Sequence, residues 1–285
     1  MQKKRKNIFW YFLAPVVLEW VISFVVQSVI ELVYMVQNLV QVEKALENET
    51  VLIEFMNEMV VFLNQYATEI TTLIAVCALP FLIRMYKKDK YEVSEWWEKK
   101  KEPNAKEIAM IVVLAACVCI AANNFILLSG ITVQSETYLE TAQLIYESPI
   151  IVQMIGLGIL VPAMEEMVYR GLLYRRMREY LPTIVSVIGT AILFGIYHGN
   201  FVQLIYASII GVFLAYLFEI FRSVKTAILF HAAANITSMV CTWIGAFDWI
   251  FSSIIHVAGV TVITCVLATA MFMMIQQNVT STEKL

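Results

Sequence analysis

The chain has 285 residues, 60% of them hydrophobic and only 15% charged, with a mean hydropathy of +0.73. A soluble domain is ~45–50% apolar and ~25% charged, so a soluble enzyme is excluded. An all-α polytopic membrane protein is implied instead: one membrane domain over 1–285, with room for about eight transmembrane helices of roughly 20 residues each. The net charge of −3 identifies no partner. The basic groups form short juxtamembrane clusters, which leaves no nucleic-acid surface.

The first predicted span runs from Ile8 to Met35 and holds Glu19 and Glu31. Lys3, Lys4, Arg5 and Lys6 precede an apolar run too long for a cleavable signal peptide, and no small-residue cleavage site follows. Residues 36–66 mix apolar and acidic positions around one cation, Lys44, and read as a non-cytoplasmic loop with an amphipathic helix over 51–64 at the interface. The second span covers Ala67 to Ile83. A basic cytoplasmic loop over 84–106 follows, with Trp96 and Trp97 at headgroup depth. The third span is Ile108 to Leu128, and the loop 130–147 after it is acidic, without cations.

The fourth span, Pro149 to Tyr169, continues into Arg170, Arg175, Arg176 and Arg178, the last three read as positive-inside anchors. The fifth begins after Pro182 and reaches His198, where Gly199 and Asn200 interrupt it. The sixth covers Phe201 to Phe221, the seventh Thr226 to Ala246 and the eighth Trp249 to Ile275, with Arg222 and Lys225 marking a basic turn. With both termini in the cytoplasm, 19 of the 20 Lys and Arg fall inside and only Lys44 outside, which sets the orientation. A bacterial cell membrane suits a short chain of this kind. The five cysteines lie in apolar segments without metal-site spacing and read as small hydrophobes.

Chemistry concentrates in three spans. Ionisable groups inside a hydrocarbon layer are functional candidates by default. Glu166 and Arg170 share a helix face at i, i+4, so Arg170 can neutralise Glu166 while Glu165, about 100° away, stays free. Span five carries Phe194 and His198, with Gly195 and Gly199 as a small-xxx-small pair that permits close helix contact. Span seven carries His231 and Asn235 on one face with three alanines between them. Singly these read as packed histidines, interhelical glue and a structural ion pair. Together, a carboxylate, two imidazoles and a carboxamide on three helices are parts for hydrolysis in a sequestered pocket: a general base, water-orienting or metal-binding imidazoles, and an oxyanion donor.

The blocks Glu-Glu-x-x-x-Arg, Phe-x-x-x-His and His-x-x-x-Asn, in this order in membrane spans, resemble the CPBP family of intramembrane proteases. That family is also called the CAAX protease and bacteriocin-processing, or ABI, family. The resemblance covers 149–246, the expected catalytic core. It implies an endopeptidase acting near the cytoplasmic membrane face. Glu165 would activate water with help from His198, His231 and Asn235 would support the site and the tetrahedral intermediate, and Glu166 with Arg170 would hold the helix. The substrate would be a peptide or prenylated peptide met at the bilayer. The family is usually labelled metal-dependent, and a metal-free glutamate mechanism is also proposed for it. A divalent metal such as zinc would need Glu165, His198 and His231, from three helices, since no HExxH spacing lies on one helix. The alternatives are a non-catalytic membrane scaffold or bacteriocin-immunity protein, and a proton-coupled transporter, which would call for an inverted repeat that the sequence lacks.

One feature resists this reading. If the membrane boundary lies at Arg170, Glu165 and His231 are roughly 5–10 Å deep, whereas His198, about 15 residues after Pro182, is some 20 Å deep. Either span five is strongly tilted, or the fourth helix runs past Arg170 and the boundary lies deeper.

Overall fold

A computed structural model of the chain describes residues 7–90, 102–131 and 135–282, and these are all-α. The helices are α1 (Ile8–Gln37), α2 (Leu39–Glu47), α3 (Glu49–Gln65), α4 (Ala67–Lys90), α5 (Ala105–Leu128) and α6 (Glu136–Glu147). They continue with α7 (Ile150–Arg178), α8 (Thr183–Tyr197), α9 (Phe201–Phe221), α10 (Val224–Trp243), α11 (Ala246–Phe251) and α12 (Ile254–Thr282). Seven of them are long and apolar enough to cross a membrane: α1, α4, α5, α7, α9, α10 and α12. The protein is an integral, multi-pass membrane bundle. The remaining predicted span, the fifth, is α8, 15 residues long, or about 22 Å at 1.5 Å per residue. The middle of the basic loop, including Trp96 and Trp97, lies outside the described residues.

Burial sorts the helices. α5, α7, α9 and α10 supply most of the core, whereas α1 and α12 turn apolar side chains such as Phe24, Val25, Val262 and Val266 outward, as the rim of a bundle in lipid must. Backbone polar groups inside such a layer need internal partners, and α7 shows how an exception is repaired. Two π-helical stretches, Gln153–Leu160 and Met167–Tyr174, flank the pair Glu165–Glu166. Pro162 follows the first of them and has no N–H to give. In the i→i−5 pattern its missing bond would have gone to Leu157, and the Leu157 carbonyl instead accepts a hydrogen bond from Asn235 Nδ2 of α10 at 2.9 Å. Asn235 is thus interhelical glue, with a specific carbonyl to satisfy.

The long α7 removes the offset between Glu165 and His198, since the helix runs past Arg170 to Arg178. Arg170, Arg175 and Arg176 are all buried. Arg176 is bound to Asp89 of α4 and to the Tyr11 carbonyl of α1, and Arg175 lies over the Tyr86 ring. These cations tie helix ends together; only Arg178 is partly open, and it pairs with Glu219 at 2.9 Å. Glu165 therefore lies 13 residues inside the α7 end at Arg178, and His198 lies 15 residues from the α8 start at Thr183. Antiparallel neighbours with those offsets bring the two residues close to the same level.

The glycine pair in span five divides its work. A Cβ on Gly195 would come within 2.5 Å of the Leu204 carbonyl oxygen, so α8 meets α9 there backbone to backbone. Gly199 has φ +76 and open space around it, so it supplies the turn and makes no helix contact. Gly195→Ala is expected to cost about 1–3 kcal/mol by overpacking, read as a lowered melting temperature in detergent. An unchanged melt would mean that α8 and α9 do not touch at this point.

Candidate functional site

The three predicted blocks come together in one cavity of about 400 Å³, lined by Glu165, Phe194, His198, His231 and Asn235 among others. The pairing of Glu166 with Arg170 expected from the i, i+4 spacing is present: Nη1 donates to Oε1 at 2.9 Å, with both side chains fully buried. Arg170 also donates from Nη2 to the Gly211 carbonyl of α9 at 3.0 Å and lies 4.7 Å from the centre of the Phe194 ring. Gly211 leaves room for this, because a Cβ there would sit 3.0 Å from the Ala191 backbone and 3.2 Å from Arg170 Nη2.

His231 stands between the two glutamates, which the spacing of residues along the chain did not reveal. Its Nδ1 lies 2.9 Å from Glu166 Oε1 and its Nε2 3.7 Å from Glu165 Oε2. A carboxylate only accepts, so with Glu166 ionised Nδ1–H is the donor and Nε2 turns a lone pair toward Glu165. At 3.7 Å the two acceptors make no direct hydrogen bond, and a water that donates to both reconciles them. His198 has the same tautomer for a different reason: its Nδ1–H donates to the Phe194 carbonyl at 2.8 Å, leaving Nε2 as an acceptor. Phe194 meets both imidazoles edge to face, at 4.9 Å from His198 and 5.6 Å from His231. The Phe-x-x-x-His block therefore places a ring between the two histidines and under the guanidinium.

Two further groups reach the site. Glu19 of α1 is buried, accepts from Ser23 at 2.7 Å and from the Tyr197 hydroxyl at 3.0 Å, and Tyr197 packs on His198. Glu19 belongs to none of the three blocks, and its only signal in the sequence is its depth within an apolar span. Tyr169, one helical turn from Glu165 on α7, packs edge-on to Phe194 and Tyr197.

Chemically, the arrangement offers a carboxylate (Glu165), two imidazole acceptors and an amide beside one cavity. Among the described residues, no three His, Cys, Asp or Glu side chains are grouped so as to hold a metal ion. Glu165, His198 and His231 as placed do not close into the ligand set that a zinc site requires, so no step is derived through a metal. The third histidine, His256, stacks on Trp249 at 4.4 Å, away from the site. All five cysteines are free.

Residues 147–237 match the family described as Type II CAAX prenyl endopeptidase Rce1-like. The match takes in all three blocks and about a third of the chain, and it identifies a CAAX/CPBP-family domain in this part of the molecule. No curated protein and no solved structure matches the chain.

Proposed function

From a CAAX/CPBP-family domain set in a membrane bundle, we propose that this protein is an intramembrane endopeptidase in which Glu165 activates the attacking water. The observation that carries the reading is convergence: Glu165, His198, His231 and Asn235, from three helices, line one buried cavity. Glu165 takes the proton from water, and His231 Nε2 lies close enough to help hold that water or receive its proton. Glu166 fixes the His231 tautomer in the way a carboxylate orients the imidazole of a hydrolytic triad. His198 Nε2 is the second acceptor that orients the water. Asn235 is tethered to Leu157 through one N–H, and its second N–H is the donor for the developing oxyanion. Arg170 holds Glu166 and the α9 backbone, and so acts on the site through position.

The test is cleavage of a peptide panel by proteoliposomes holding the protein, with products read by mass spectrometry, against Glu165→Ala. The expected result is a set of peptides cut by the native chain and left whole by the variant. Equal cutting by both, or none by either, favours the scaffold or immunity role instead.

A further inference from the structure

His198 sits at the least constrained point of its helix. It caps α8, and the amides there bond to the third residue back: His198 N–H donates to the Gly195 carbonyl and Gly199 N–H to the Ile196 carbonyl, both at 3.2 Å. Such tightened last turns have poorer hydrogen-bond geometry than the helix before them. Beyond them Gly199 turns with open space around it, and on the outer face Ile192, Leu193 and Ile196 are exposed. A helix end with few contacts of its own opens readily unless another element holds it. The imidazole is bonded to this turn through Nδ1–H and the Phe194 carbonyl, so the ring goes where the turn goes.

The hold comes from α1. Its buried residues are Tyr11, Pro15 and Glu19, spaced by four and so turned to the protein on one face. An acid on that face is costly in an apolar layer, where a hydrophobic side chain would pack without the penalty. Glu19 Oε1 accepts twice, from Ser23 Oγ one turn on at 2.7 Å and from the Tyr197 hydroxyl at 3.0 Å. Its Oε2 is buried without a partner among the described residues. Tyr197 is the residue before His198, and its ring lies 5.9 Å from the imidazole and 5.9 Å from the Tyr169 ring. Tyr169 in turn is four residues from Glu165 on α7. One hydroxyl bond thus bears on His198 and on the turn of α7 that carries Glu165. Neither Glu19 nor Tyr197 lines the cavity, so both act through position.

We infer that Glu19 is a positioning residue: through the Tyr197 hydroxyl it holds the end of α8, and with it the direction of His198 Nε2. The use made of His198 rests on the endopeptidase reading; the hold on α8 rests on these contacts alone. Tyr197→Phe keeps the ring and removes the hydroxyl, Glu19→Leu removes the acceptor, and Glu19→Gln keeps an accepting oxygen. Each full-length variant in proteoliposomes is treated with diethyl pyrocarbonate, which acylates an unprotonated imidazole nitrogen, and the adducts are read at each histidine by mass spectrometry. Acylation of His198 is expected to be about threefold faster or more in Tyr197→Phe and Glu19→Leu, and close to native in Glu19→Gln. His231, in the same cavity, and His256, away from it, are expected to react at the native rate in all three. On a peptide that the native chain cuts, Tyr197→Phe is expected to lower kcat about fivefold or more with KM unchanged, and Glu19→Gln to recover most of what Glu19→Leu loses. An unchanged or slower reaction at His198, equal acceleration at all three histidines, Glu19→Gln behaving as Glu19→Leu, or a native kcat in Tyr197→Phe overturns the inference. Acylation needs no turnover, so a native chain that cuts no peptide sinks the endopeptidase reading while the hold on α8 is still decided.

Discussion

Glu165→Gln is expected to bring peptide cleavage to background with no loss of thermal stability. Among the described residues the carboxylate has one polar neighbour, His231 Nε2 at 3.7 Å, and makes no hydrogen bond that ties helices together. A glutamine of the same shape keeps the packing against α10 and removes only the basicity. General-base catalysis is worth about 10²–10⁴-fold, so residual cutting of less than about one part in a hundred is the expected reading, at an unchanged or raised melting temperature in detergent. A variant that retains more than a tenth of native activity would take the base away from Glu165. A variant that melts early would mean that Glu165 is part of the frame.

Most of the bundle was legible because a membrane allows so little. Each span must satisfy its own backbone, so an apolar run of the right length is a helix; Phe201–Phe221 has the same ends in sequence and structure. The three blocks were legible because each sits on one helix face, where i, i+4 spacing is geometry. What escaped were the contacts between faces. Nothing local to Glu166 announces His231, 65 residues on, or announces Tyr197 for Glu19, 178 residues away.

The fourth span was ended too early, at Tyr169, for a physical reason. A cation marks the membrane surface only when water or headgroups solvate it, and Arg170, Arg175 and Arg176 are solvated by protein: Glu166, Asp89, carbonyl oxygens and aromatic faces. Ending the span at Tyr169, with Arg175 and Arg176 as surface anchors beyond it, placed Glu165 only about one helical turn from the end of its span. With α7 running on to Arg178, the glutamate lies 13 residues inside the helix end. The π-helical stretches around Glu165 were likewise invisible, apart from the hint carried by Pro162.

The ion pair beside the site is expected to behave in the opposite way to Glu165. Glu166 accepts from Arg170 and from His231 through the same oxygen, Oε1, and neither Glu166 nor Arg170 has any exposed surface. Glu166→Gln keeps an acceptor for His231 but leaves the guanidinium inside the bundle with only the Gly211 carbonyl and the Phe194 face. Removing one member of a buried pair costs about 3–5 kcal/mol, because the remaining charge is uncompensated. Arg170→Met is expected to cost a similar amount, since it strands the carboxylate. Glu166→Gln combined with Arg170→Met removes both charges and retains the bond to His231, so it should be more stable than either single variant. Melts of the native chain, the two single variants and the double variant in one detergent form the cycle that isolates the coupling. If the single losses simply add in the double variant, the two charges are independent of one another. Arg170 would then be holding α7 to α9 through Gly211 alone, and the division of labour between the adjacent glutamates would have to be abandoned.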